Sequence, residues 1–318
     1  RKPIFWLWIG WRTRFWPNIK RLRSLSEPFN SFYSPDFLVL MISMSEPLIL
    51  YAFIMLATGI AVGFACGLLG VGGGFIMVPV QIWSLTSMGI DQTLSTRIAF
   101  GTSLAVVLPT ALSGCRGHSC KGVVLWRPGI AMGLSGLMGG FIGGTAASHM
   151  PGDLLKTIFG IVVLIGAIRM LFAEVILQSG TLGHGPSKSL YKYAIMGFFV
   201  GTLSGLCGIG GGVILVPVMV IILGFSIYQA IGTSSIAIAL NAVGGILAYI
   251  INGWGVSGLS KYSLGYIDLL QFALLAGGSI VSASWGAKAA HRIQADRLKY
   301  IFVIVMIYIG LRMVCILS

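Results

Sequence analysis

GFACGLLGVGGGFIMVPV, residues 63–80, returns as GTLSGLCGIGGGVILVPV, residues 201–218. The two align without a gap. Gly63, Gly67, Leu68, Gly70, Gly72, Gly73, Gly74, Ile76, Val78, Pro79 and Val80 fall opposite Gly201, Gly205, Leu206, Gly208, Gly210, Gly211, Gly212, Ile214, Val216, Pro217 and Val218. Each is apolar and uncharged, and each runs three glycines together before closing on Val-Pro-Val. A glycine inside a helix costs about 1 kcal/mol relative to alanine. Three in a row therefore predict a helix that unwinds and restarts, and the chain does this twice.

The likeness spreads outward from these stretches. AFGTSLAVVLPTALSG (99–114) answers AIGTSSIAIALNAVGG (230–245), and GDLLKTIF (152–159) answers ADRLKYIF (295–302). An Arg-Met pair closes each half, at Arg169 and Arg312. Four landmarks in one order predict a tandem repeat of about 110 residues per unit, the architecture of duplicated transporters. The chain then divides into an N-terminal extension (1–46), a first membrane repeat (47–178), a polar linker (179–192) and a second membrane repeat (193–318). Helices are expected near 47–69, 75–86, 97–113, 128–147 and 153–171, and again near 191–207, 213–223, 228–250, 267–289 and 296–317.

Composition supplies the solvent. Hydrophobic residues make up 56% of the chain, charged residues 9%, and the mean hydropathy is +0.94. A soluble domain carries about a quarter charged residues, so most of this surface must face lipid. No Asp, Glu, Lys or Arg lies between Glu46 and Asp91, or between Lys192 and Lys261. Such long clean runs, without dyad alternation, favour helices over a barrel. The expectation is an all-α polytopic, multi-pass membrane protein of about 8–10 transmembrane segments.

The net charge of +13 does not point to nucleic acid, because Lys and Arg sit in loops and at the N-terminus. Arg1, Lys2, Arg12, Arg14, Lys20, Arg21 and Arg23 interleave with Trp6, Trp8, Trp11 and Trp16. That mixture suits a membrane–water interface or a cytoplasmic tail, and either puts the N-terminus in the cytoplasm. The short apolar piece 4–11 lacks the cleavage site of a signal peptide. Partners expected are a small anion and membrane lipid; a homodimer is left open.

Topology has two solutions. If the piece after each glycine triplet crosses, each repeat has five spans and the halves are inverted. If it re-enters, each has four and the halves are parallel. Loop charges divide, and the inverted arrangement is preferred because it builds a midplane site from broken helices.

Unwinding frees backbone N–H groups, and the helix that restarts presents its positive end. In a low-dielectric interior this holds an anion without a cationic side chain. Gly72, Gly73, Gly74, Gly210, Gly211 and Gly212 are therefore candidate binding residues; the alternative is close helix packing through small residues. Thr102, Ser103, Thr233, Ser234, Ser235 and Asn241 add neutral donors inside apolar helices, with back-bonding to helix carbonyls as the alternative. Arg97 stands one turn before the first GTS and is the one cation included. The eight carboxylates fall in tails, loops or helix ends, which argues against a cation carrier. The same lack of buried acids leaves no obvious proton relay and the coupling open, and all four histidines are placed outside the apolar centres, which leaves no serine-protease pair; the Cys115–His118–Cys120 loop is a weak metal signal. No enzyme activity, cofactor or metal is expected.

The paired GLLGVGGGFIMVP and GLCGIGGGVILVP segments, each followed by a GTS helix, resemble the sulfite exporter TauE/SafE family, also called the toluenesulfonate uptake permease family. The resemblance runs from about residue 47 to 317; the basic extension and the CRGHSC loop depart from it. It implies an inner-membrane secondary carrier of small anions, sulfite or organosulfonates such as sulfoacetate, working by alternating access. An anion channel built on the same breaks is the alternative.

Overall fold

The computed structural model describes residues 35–69, 72–178, 189–260, 262–289 and 295–315. The basic, Trp-rich opening lies outside them, as do His184, His291 and most of the linker. The chain divides into a unit of residues 1–50 and a unit of residues 51–318. Apart from the opening of the first helix, everything below concerns the second unit.

The described residues form ten helices: α1 (Pro35–Leu69), α2 (Gly74–Ser87), α3 (Gln92–Ser119), α4 (Trp126–His149), α5 (Gly152–Gln178), α6 (Leu190–Cys207), α7 (Gly212–Ile221), α8 (Ile227–Gly253), α9 (Leu269–Ala289) and α10 (Ala295–Cys315). Six of them are long and apolar enough to cross a membrane: α1 over residues 50–68, α3, α4, α6, α8 over residues 228–253, and α9. This is the all-α polytopic architecture that the composition requires. The pieces that follow the glycine breaks are short, at 14 residues for α2 and 10 for α7. At 1.5 Å per residue they reach about 21 and 15 Å, less than the roughly 30 Å of hydrocarbon, so neither crosses alone.

Several boundaries differ from the sequence reading, each for a local reason. Helix α1 begins at Pro35 rather than near residue 47 and takes Glu46 and Pro47 into its body. Helix α3 begins at Gln92 because the Asp91 carboxylate accepts the Thr93 and Leu94 amides, an N-cap. It runs on through the stretch expected to be the CRGHSC loop, ending at Ser119 with Arg116 and His118 in its last turn. Cations there suit the negative helix end. Helix α6 starts at Leu190, inside the linker. Before α9 the chain makes a small antiparallel hairpin, β1 (Ser263–Leu264) with β2 (Ile267–Asp268), too short to leave a pattern. The Asp268 carboxylate then accepts the Leu270 and Gln271 amides and starts α9. The Asp268 carboxylate is buried.

Glycine sets how closely the helices pack. Helix α6 lies on α4 with Gly197, Gly201 and Gly205 against Met132, Gly136 and Gly140; a methyl on Gly201 would stand 2.2 Å from the Gly136 carbonyl oxygen. Helix α1 lies on α9 with Gly59, Gly63 and Gly67 against Leu275, Ser279 and Ala283; a methyl on Gly67 would stand 1.9 Å from the Ala283 oxygen. Neither seam has room for a side chain. The first helix of each sequence half thus rests on a long helix of the other half. Helix α3, the most deeply buried of the six spans, packs against α8 and α9 through the middle of the bundle.

Candidate functional site

The two breaks meet. A methyl on Gly72 would lie 3.0 Å from the Ile209 oxygen, and one on Gly74 would lie 2.7 Å from the Ile209 Cα and 2.8 Å from the Gly208 oxygen. Backbone touches backbone here, so a side chain at Gly72 or Gly74 would force the two breaks apart. The conformation adds a second demand. Gly73 (φ 68°) and Gly211 (φ 82°) are left-handed N-caps of α2 and α7. Side chains with a Cβ pay about 1–2 kcal/mol for that region.

Neither N-cap has a side-chain hydrogen bond to its helix. Being glycines, the N-caps offer no capping side chain of their own, and each helix start carries the partial positive charge of its end. Among the described residues that line this junction none is charged. At the first break the Gly72 amide reaches the Cys66 sulfur. At the second, the matching position is Ser204, whose hydroxyl is buried and has no hydrogen-bond partner. A methyl on Gly211 would lie 3.4 Å from that hydroxyl. A crevice lined by Ser204, Ile209, Gly211, Val213 and Ile214 adjoins it, with no room for a water-sized sphere. The junction is closed in this conformation.

The hydroxyl motifs separate into different roles. Ser103 Oγ lies 2.5 Å from the Gly208 oxygen and 3.0 Å from Phe100 O, so it touches the second break. Thr102 and Thr233 instead hold helix starts. The Asp268 amide donates to Thr102 Oγ1 at 2.9 Å, ahead of α9, and the Leu125 amide donates to Thr233 Oγ1 at 2.9 Å, ahead of α4. Each GTS threonine thereby anchors a long helix of the opposite sequence half. Ser234 and Ser235 both reach back to the Ile231 carbonyl. Asn241 is buried facing Gly136 of α4, and both of its amide atoms lack hydrogen-bond partners. Thr110, its counterpart in the aligned GTS helix, bonds Ser279 at 2.7 Å.

Arg97 is engaged elsewhere. Its guanidinium donates to Met150 O at 3.0 Å and stands 5.9 Å from the Tyr266 ring centre. That ties α3 to the end of α4 and to the hairpin.

Sequence reasoning missed Ser204, which departs from its counterpart only as serine for cysteine. It also misplaced His118. The residue is buried in the last turn of α3, not in a loop, and its Nε2 lies 3.0 Å from the Gly67 oxygen. Cys115 and Cys120, expected to bracket it in one loop, are buried and exposed respectively. Among the described residues no cluster of three metal-ligating side chains occurs.

Comparison with known proteins agrees with this architecture. Residues 55–313 match the family model described as sulfite exporter TauE/SafE. A probable membrane transporter protein of Haemophilus influenzae is 29% identical over 266 residues, covering 83% of this chain and 99% of its own. The probable membrane transporter protein YdhB of Bacillus subtilis is 30% identical over 237 residues, covering 74% of this chain and 87% of its own. A third, from Methanocaldococcus jannaschii, is 26% identical and covers 82% of this chain. No solved structure matches. With its glycine breaks, its apolar spans and a family match across most of its length, this membrane protein belongs to the sulfite exporter TauE/SafE family of transporters.

Proposed function

We propose that this transporter is a secondary carrier of small anions, sulfite or organosulfonates such as sulfoacetate, in the inner membrane. The anion is held where the two glycine breaks meet, and alternating access exposes that junction first to one side and then to the other. The observation that carries the reading is the juxtaposition itself: two short helices start at one buried place, each from a glycine with no capping side chain, and no charged residue is among the described residues that line it. Converging positive helix ends favour an anion in a low-dielectric setting. The unpartnered Ser204 hydroxyl supplies a further donor. The closed crevice suits an occluded stage of a carrier. The reciprocal contacts of α1 on α9 and α6 on α4, at positions paired by the sequence alignment, support a two-fold relation between the halves about this junction.

The test is flux. Purified protein in liposomes should carry radiolabelled sulfite or sulfoacetate saturably, and Ser204→Ala should raise KM about tenfold, the loss of one hydrogen bond to a charged group. Absence of flux, or an unchanged KM in Ser204→Ala, refutes the site. Steady currents far above carrier turnover would make the protein a channel.

A further inference from the structure

The helix directions follow from which residues meet. Helix α1 runs with α9, because Gly59, Gly63 and Gly67 face Leu275, Ser279 and Ala283 in that order. Helix α3 runs the same way: Thr102 accepts the Asp268 amide, Thr110 bonds Ser279, and a methyl on Gly117 would meet Ala287. Helix α6 runs with α4, as Gly197, Gly201 and Gly205 face Met132, Gly136 and Gly140. Helix α8 runs with them too, as Gly133 and Gly144 face Leu240 and Ala248. It opposes α3, since Gly232 meets His118 while Gly101 meets Tyr249. The first helices of the two sequence halves therefore point in opposite directions.

This ordering gathers cations at one end. The last turn of α3, the starts of α4, α6 and α8 and the last turn of α9 lie there together, and Arg116, Lys121, Arg127, Lys192 and Lys288 are all exposed. Trp126 and Trp285 stand with them, 50% and 61% exposed. Asp91, Asp153 and Asp268 lie at the opposite end, where Gln92 at the start of α3 bonds Asp153 at the start of α5, and Trp254 and Tyr262 are exposed there. Glu174 and Asp296 are on the stretches of α5 and α10 nearest the basic end, together with Arg169, Arg297 and Lys299; Asp36 and Glu46 belong to the first unit. Aromatic residues at both ends mark two headgroup levels. Helix α3, with 28 residues, spans about 42 Å, so the hydrocarbon separates the two ends.

We infer that the basic end faces the cytoplasm and is a binding surface for anionic lipid headgroups. Lys and Arg of short loops stay on the cytoplasmic side, and the anionic leaflet there attracts each of them. Exposed cations set around two tryptophans match phosphates and ring-depth contacts at one level. In sequence the basic segments around Lys121 and Lys288 pull toward different topologies; the approach of Gly117 to Ala287 brings both to one end. The α1 span then opens, at Tyr51, on the far side, against the cytoplasmic start that the basic N-terminal residues suggest. Arg23, the last of those, precedes Tyr51 by 28 residues, beyond the roughly 15–20 over which charge sets orientation.

This inference stands whatever anion is carried, and its test uses the full chain in a Cys315→Ser background. Exposed Cys120 reports the basic end. Ser257→Cys, with Cys120→Ser, reports the other, because the exposed loop at Ser257 and Gly258 lies by Leu94. A membrane-impermeant maleimide should label Cys120 in inside-out vesicles only, and Ser257→Cys in right-side-out vesicles only. Lipid retained by the purified protein in neutral detergent, read by native mass spectrometry, should favour phosphatidylglycerol over phosphatidylcholine. Arg127→Gln with Lys288→Gln should cut that preference at least fivefold, about the share of one cation at a headgroup surface; Arg127→Lys with Lys288→Arg should keep it. Labelling of Cys120 from outside overturns the orientation. Equal retention of the two lipids, or an unchanged preference in the glutamine pair, overturns the lipid surface.

Discussion

Gly201→Ala tests the packing argument with the smallest possible change. The added methyl would lie 2.2 Å from Gly136 O, 2.5 Å from Gly136 Cα and 2.7 Å from Gly136 C. All three are backbone atoms, so no rotamer relieves the clash and α6 must move off α4. Carbon–carbon contacts settle at about 3.5–4.0 Å, so the seam must open by roughly 1 Å, which forfeits about a quarter to a half of each contact along it. Overpacking of this kind costs about 1–3 kcal/mol, and backbone against backbone belongs at the upper end. Alanine returns at most about 1 kcal/mol of helix propensity, leaving a net loss of about 2 kcal/mol. On the scaling for domains of 150–250 residues that is a fall in Tm of roughly 4–8 °C. Gly277→Ala is the control. Gly277 is also inside a helix, but nothing lies within 4 Å of its added methyl, so stability should hold or rise. Thermal unfolding of both purified variants in detergent reads the difference. If Gly201→Ala unfolds no earlier than Gly277→Ala, the close-packed seam is wrong.

Two further predictions use the same assay or a simpler one. Thr102→Val and Thr233→Val each remove the acceptor of one helix-start amide and should each destabilise by about 1–3 kcal/mol, seen as lower Tm; the corresponding serine variants should recover most of it. Cys120 is exposed whereas Cys66, Cys115 and Cys207 are buried, so in a Cys315→Ser background a water-soluble maleimide should label Cys120 in the folded protein and reach Cys66, Cys115 and Cys207 only after unfolding.

Much of the architecture was legible in the residues. Charge-free runs such as 193–260 cannot cover a soluble surface, and lipid forces the backbone into helices. The glycine triplets were legible as interruptions because three glycines in an apolar run oppose helix so strongly. The matched motifs also marked which positions would act alike, and Thr102 and Thr233 do anchor equivalent helix starts. What each hydroxyl bonds was not legible, since back-bonding, capping and ligand contact use the same residue types. Arg97 looked like a site cation from its spacing, yet the end of α4 and the Tyr266 ring engage it. His118 looked like a loop residue because Arg116, Lys121 and two cysteines surround it, and a helix end tolerates that composition.

The sequence by itself determined that this chain spans a membrane as helices and breaks two of them with glycine, because hydropathy and backbone propensity act locally. The tertiary structure alone decided that the breaks face each other and that α1 rests on α9 and α6 on α4. Those facts depend on which backbones come close enough to exclude a side chain, and residues far apart along the chain settle that only once it has folded.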